Sequence, residues 1–366
     1  MSDPALYART LFDAASGNPD FYICMGDDFS VAKIQEVSAE TLAQPYALQR
    51  PFLGLVAQSA PIFLLNGNHE QASLFNYNQP DIRHEVAVGV QNARNRYYPT
   101  PAPDGFYTGD TGALKDIGPL KDYCAWTWGD ALFVVLDNYW QSPVQVDSGF
   151  HEEEGGGNKG GPKDQPAGQE AKDHAGHKDR DWWGITLGDA QYQWFKRTFE
   201  QSKARYKFVF AHHVLGSGRG GVDECDLYEW GGRSKRGDWE FGQKRPGWEL
   251  PVHQLMVKNG VTIFSQGHDH LFARQERDGI VYQEVPMPAD QFYEARNDSR
   301  YQSGTKLPNS GQARFSHRPR EPVHDRQACR PRRGGLAVSG AAVLSRADFD
   351  SNPSRLRHPR WRERQG

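Results

Sequence analysis

Four stretches of this chain each end an apolar run on side chains that bind metals. They are "FYICMGDD" (21–28), "IFLLNGNHE" (62–70), "KFVFAHH" (207–213) and "VTIFSQGHDH" (261–270). Asp27, Asn68, His69, His212, His268 and His270 stand at these ends, with Asp28, Glu70 and His213 beside them. A single polar tip is ordinary turn chemistry. Four such tips, carrying carboxylates and several imidazoles, suit a borderline cation such as zinc, manganese or iron. Gly267 lets the chain turn sharply out of its apolar run. Two residues apart in an extended tip, His268 and His270 would point to the same side and reach two neighbouring metals. The competing reading, a polar turn with capping histidines, leaves the other three tips without a reason.

The short apolar runs read as buried strands, and helical patterns lie between them. "LYARTLFDAA" has apolar residues at helical spacing, and residues 43–59 read as a helix broken or started near Pro45 and Pro51. "CAWTWGDALFVVLDN" reads as two strands about the turn signal Gly129-Asp130. Leu187, Trp194, Phe195 and Phe199 form a helical stripe in "LGDAQYQWFKRTFEQSK". "PVHQLMVKNG" reads as a helix stopped by Gly260, and "GIVYQEV" as a strand. The rhythm of strand, polar tip and helix over about 1–295 predicts an α/β sheet with its chemistry at the strand ends.

Composition narrows the alternatives. No run of 18 apolar residues exists among the 366, so no membrane span is expected. The first residues lack a basic patch followed by an apolar core, so no signal peptide is expected in this chain, and its location stays open. Cys24, Cys124, Cys225 and Cys329 form no close pair, which argues against a zinc ribbon or a disulfide scaffold. Residues 152–180 contain no Val, Ile, Leu, Met, Phe, Trp or Tyr and are expected to form a disordered insertion, with His151, His174 and His177 as solvated side chains. Net charge is −3, unevenly spread: residues 313–366 carry 13 Arg against 5 acidic residues, a balance of +8, which leaves −11 on the rest. Arg without any Lys is the composition of a GC-rich gene read in a shifted frame. The segment 296–366 is therefore expected to be a disordered or non-native tail that adds no strands, rather than a basic arm for nucleic acid.

"GD" at 26–27, "GNHE" at 67–70, the strand-end His212 and "GHDH" at 267–270 together resemble the calcineurin-like metallophosphoesterases, in order and in spacing. The resemblance covers about 5–295. It implies a four-layer α/β/β/α sandwich with a dinuclear centre of divalent or trivalent iron, manganese or zinc. It further implies that Asp27 bridges the metals, that Asn68, His212 and His268 bind the second, and that His270 binds the first. His69 would act on the leaving group, and His213 would pack behind the ligands. The substrate class would be a small phosphate mono- or diester, attacked by a water whose pKa the cations lower. Arg219, in "GSGRGGVDE", is a candidate phosphate partner.

Three features depart from the family pattern. No Asp-x-His precedes Gly26, so the family's first strand is expected to be missing and the first metal to keep only Asp27 and His270. Ser30 stands where relatives carry an acid or a Tyr, so a different partner must orient His69. The Arg-rich tail does not read as the closing strands of relatives. A weakly active hydrolase is the first expectation. A catalytically impaired metal- or phosphate-binding remnant is the second.

Overall fold

The computed structural model describes residues 3–27, 29–31, 36–70, 73–80, 82–146, 181–213, 221–268, 270, 272–287, 289, 335–338 and 342–345. The insertion expected at 152–180 and most of the tail lie outside the described residues.

Helix α1 (Pro4–Ser16) is capped by Asp3, whose carboxylate accepts from the amides of Ala5 and Leu6. Strand β1 (Pro19–Cys24) follows, then α2 (Ala39–Ala57), which opens on a reciprocal Ser38/Thr41 capping box. The expected break near Pro45 and Pro51 does not occur; α2 runs unbroken through both. Its buried Leu42, Tyr46, Gln49, Leu53 and Val56 recur every three or four residues across both prolines. Packing along that stripe outweighs the cost of roughly 3 kcal/mol for each interior proline. Strand β2 (Ile62–Leu64) and helices α3 (Leu74–Tyr77) and α4 (Ile82–Tyr97) complete the first half.

Strands β3 (Thr108–Gly109), β4 (Ala113–Leu114) and β5 (Gly118–Pro119) are short. Strands β6 (Cys124–Trp128) and β7 (Ala131–Val135) form the hairpin expected about Gly129-Asp130, with Trp128 opposite Ala131. Helix α5 (Gly188–Gln201) then leads to β8 (Tyr206–Phe210), and α6 (Tyr228–Gly231), α7 (Phe241–Lys244) and α8 (Val252–Lys258) precede β9 (Ile263–Gln266). The last strands are β10 (Ala273–Arg277), β11 (Ile280–Glu284), β12 (Gly335–Val338) and β13 (Ala342–Ser345).

Two sheets carry the fold. The first has the order β13-β12-β1-β2, and the second β10-β11-β9-β8-β7-β6-β3. Strands β1 and β2 are parallel, as are β7, β8 and β9, so each sheet brings its ligand-bearing tips to one edge. The expectation of a tail without strands is corrected at 335–338 and 342–345. Strand β12 pairs parallel with β1 and antiparallel with β13. Apolar residues on both sides of Ser339-Gly340 are a hairpin signal that the surrounding Arg content obscures.

The sheets face each other across an aromatic core of Phe21, Phe63, Trp126, Phe133, Phe208 and Phe210. Phe63 stacks on Trp126 with centroids 3.8 Å apart. The outer face of the first sheet packs Tyr22 and Cys24 against Tyr7 and Leu11 of α1 and Val56 of α2. The outer face of the second lays Val134, Val209 and Phe264 under α5 and α8. The result is the expected four-layer α/β/β/α sandwich. Tyr98, Trp230 and Trp248 are buried in the cores. No helix among the described residues is long and apolar enough to cross a membrane.

Phe133 sits between the sheets with ring centroids 5.0 Å from Phe21, 5.3 Å from Trp126 and 5.2 Å from Phe208. Phe133→Ala is expected to cost about 3–5 kcal/mol in urea unfolding, because the rings around it cannot collapse into the void. Phe12→Ala, on a side chain 64% exposed, is expected to stay within about 0.5 kcal/mol.

Candidate metal centre

Strands β1 and β2 lie side by side, and their tips pass backbone to backbone. Gly26 has φ +92°, and a Cβ there would stand 2.5 Å from the Gly67 amide nitrogen. A Cβ on Gly67 would stand 2.1 Å from Asp27 Oδ1. Only glycine fits at either place. The close pass lets the His69 amide donate to Asp27 Oδ1 at 2.9 Å. Glu70, buried behind it, accepts from the Gly67 amide at 2.6 Å and the Asp27 amide at 3.2 Å. Glu70 therefore braces the two tips against each other. The His69 carbonyl also accepts from Val31 at 3.1 Å. Backbone contacts on both sides hold His69, where the departure at Ser30 called for another partner.

The second sheet supplies the imidazoles. His212, just past β8, places Nε2 at 3.0 Å from Asp27 Oδ2 and 3.2 Å from Asn68 Oδ1. His268, just past β9, places Nδ1 at 2.9 Å from Asn68 Oδ1. Donor atoms of Asp27, His212 and His268 all lie within 4.8 Å of one another. In a tetrahedral site with ligand distances near 2.0–2.1 Å, donor atoms stand ~3.3 Å apart. Three donor pairs, Asp27–His212, His212–Asn68 and Asn68–His268, stand 2.9–3.2 Å apart, close to that spacing. His212 Nδ1 faces the Met25 carbonyl at 2.7 Å. That contact keeps a proton on Nδ1 and leaves Nε2 as the ligating atom.

His270 is half-buried and is not a member of that three-residue group. The extended tip expected at 268–270 is not found. His268 has φ +72° and His270 φ +55°, as Asp27 has φ +58°. Left-handed backbone at non-glycine residues is strained by roughly 1–3 kcal/mol each, and such strain gathers at functional sites. The backbone at His268 and His270 is therefore not that of a strand continuation. His213 is fully buried, with Nδ1 at 3.2 Å from Tyr139 Oη and its ring centroid 4.1 Å from that of His268. It packs behind the ligands as expected. Arg219 lies outside the described residues, and Tyr228 is a core residue.

A fifth tip escaped the sequence reading. Asp137 follows β7 and accepts from Asn66 Nδ2 at 2.9 Å. Burial pushes its carboxyl up to about 6, against the lowering pull of Asn66 and of the Tyr139 and Trp140 amides. The signal was there: "FVVLDNYW" is another apolar run that ends on a carboxylate.

The family model for calcineurin-like phosphoesterases matches residues 5–272. The chain belongs to that family. No curated protein matches it. Among solved structures, the chain is similar to a purple acid phosphatase from yellow lupin (Lupinus luteus) seeds at 14% identity and TM-score 0.39, over 77% of this chain and 39% of that one. It is also similar to the phosphopantetheinyl hydrolase of Mycobacterium tuberculosis at 16% identity and TM-score 0.28, over 74% and 80% of the two chains. The chain spans about two-fifths of the lupin enzyme's length.

The electrostatics of the metal-free site follow from its geometry. Burial alone would raise the Asp27 carboxyl, but the charge and hydrogen bond of His212 outweigh it and hold the group well below its usual range. Burial alone would lower His212, but Asp27 beside it pushes the imidazole up to about 9. Without metal the pair is therefore imidazolium and carboxylate at neutral pH. Because the folded value of His212 is raised, the pair's stabilising effect is full below about 6.5, the ordinary histidine value. It is lost as pH rises through about 9. A cation can take Nε2 only after that proton leaves. Zinc affinity measured by competition with a chromophoric chelator is expected to rise about tenfold per pH unit from pH 7, with one proton released per ion, and to flatten as pH nears about 9. An affinity flat across that window would show that His212 is no ligand.

Proposed function

We propose that this phosphoesterase hydrolyses small phosphate mono- or diesters at a metal centre built on Asp27, Asn68, His212 and His268. The observation that carries the reading is the convergence of oxygen and nitrogen donors from four strand ends, with three of the donor pairs 2.9–3.2 Å apart. Family membership supports phosphoester chemistry in general.

Asp27, whose two oxygens face in different directions toward His69 and His212, is the residue suited to bridge two cations. His270 is the candidate ligand for the first of them, and Asn68, His212 and His268 hold the second. When bound, iron, manganese or zinc neutralises phosphate charge and lowers the pKa of water. The protein's own residues do the remainder. His69 is exposed while its amide is tied to Asp27, so its ring is free to meet a departing oxygen and give it a proton. Such acid catalysis is worth about 10²–10⁴-fold. Arg219 is kept as a candidate partner for the substrate phosphate. With two ligands argued for the first metal, Asp27 and His270, that ion would be held weakly and turnover would be slow.

A second reading, a metal-binding protein with no turnover, draws on His270 lying outside the group formed by Asp27, His212 and His268.

The test uses the full chain loaded with manganese or zinc, with p-nitrophenyl phosphate and its bis-ester as probes. Turnover is expected below the ordinary enzymatic range of roughly 1–10³ per second, and a chelator should abolish it. His212→Ala is expected to remove both metal and activity. His69→Ala is expected to lower kcat about 10²–10⁴-fold with metal content unchanged. Hydrolysis that survives chelation and His212→Ala would contradict the proposal. Metal uptake with no hydrolysis of either ester would favour the second reading.

A further inference from the structure

We infer that Asp137 is a positioning residue for the metal centre: by holding Asn66 it sets the course of the β2 tip and hence the place of Asn68. The inference rests on the reading of Asn68 as a ligand.

Asp137 stands past β7 in the second sheet, whereas Asn66 stands past β2 in the first. Their contact, 2.9 Å from Asn66 Nδ2 to Asp137 Oδ2, crosses between the sheets where both side chains are buried. The carboxylate has little freedom to turn. Its Oδ1 accepts from the amides of Tyr139 at 2.8 Å and Trp140 at 3.3 Å. Its main chain is clamped by Gln191 of α5, whose Oε1 accepts from the Asp137 amide at 2.9 Å and whose Nε2 donates to the Asp137 carbonyl.

The same tip is also gripped from α4. Arg94 of α4, buried, donates to the Leu64 carbonyl at 2.7 Å. Its charge also bears favourably on the Asp137 carboxylate. The β2 tip is thus tied at Leu64, Asn66 and Gly67 before it reaches Asn68. A well-packed apolar pair would hold two sheets together with less desolvation than a buried carboxylate. What the carboxylate adds is direction: it accepts from one face of Asn66 and so selects one rotamer and one loop course. That direction matters two residues on. The Asn68 oxygen must stand at once 2.9 Å from His268 Nδ1 and 3.2 Å from His212 Nε2, and ligand constellations tolerate errors of only about 0.5 Å. Asp137 touches none of the donors itself, so its effect on the site passes through Asn66.

The experiment titrates the full chain with manganese(II) chloride, followed by calorimetry and by the electron paramagnetic resonance line shape of the bound ion. Thermal unfolding of the metal-free chain is recorded beside it. Asp137→Asn sets an amide against the Asn66 amide. Manganese affinity is expected to fall about 10–100-fold, the range for groups that orient ligands, with an altered line shape. The reciprocal double variant, Asn66→Asp with Asp137→Asn, restores a donor facing an acceptor at unchanged net charge. It is expected to recover most of the affinity and the original line shape. If Asp137→Asn does not fold, Asn66→Ala, which removes the donor without adding a clash, carries the same expectation of lost affinity. Unchanged affinity and line shape in a folded single variant overturns the inference, as does a double variant no better than the single. A parent chain that binds no manganese overturns the ligand reading and the inference with it. A parent that binds normally, beside an unaffected Asp137→Asn, overturns the inference alone.

Discussion

Two loop ends that touch without side chains between them hold this site together. Gly26 and Gly67 bring the β1 and β2 tips so close that a single added carbon on either would overlap backbone or Asp27. From that approach the rest follows in order. Asp27 comes within reach of the His69 amide, and Glu70 bonds both tips from behind. The carboxylate then faces outward toward the second sheet, where His212 meets it at 3.0 Å. Without the close pass the two sheets would each present isolated polar turns.

The sandwich and the site depend on each other. The aromatic core between the sheets sets their spacing, and that spacing lets His212 of one sheet reach both Asp27 and the Met25 carbonyl of the other. Polar ties between the sheets cluster at this same edge, where Asn66 meets Asp137. Buried polar contacts are costly unless matched, so their concentration beside the donors indicates an edge built for orientation more than for stability. The left-handed backbone of Asp27, His268 and His270 points the same way. Strain of this kind persists only where surrounding contacts over-determine it.

Much of this was readable from residue order. The pattern of an apolar run ending on Asp27, Asn68, His212 or His268 reports parallel strands with their polar tips at one edge of each sheet, because a buried strand needs an apolar run and a polar side chain needs the turn beyond it. Periodicity located α1 and α5, whose buried stripes are local. What escaped was non-local. Pro45 and Pro51 looked like helix breaks until the stripe through Leu42, Tyr46 and Leu53 found its partners. Gly26 and Gly67 stand in separate motifs, and nothing in one sequence says that they face each other. His268 and His270 both take left-handed backbone, which no spacing rule anticipates. The short β12–β13 hairpin was hidden by the arginines around it, since composition over a long window dilutes two four-residue strands.

The most direct test of the central claim is anomalous diffraction from crystals of the full chain grown with zinc, recorded on both sides of the zinc absorption edge. The account predicts a strong peak about 2.0–2.2 Å from Asp27 Oδ2, Asn68 Oδ1, His212 Nε2 and His268 Nδ1, with the Met25 carbonyl still bonded to His212 Nδ1. Zinc bound elsewhere with these four side chains still hydrogen-bonded to one another, or no peak at saturating zinc, would contradict it.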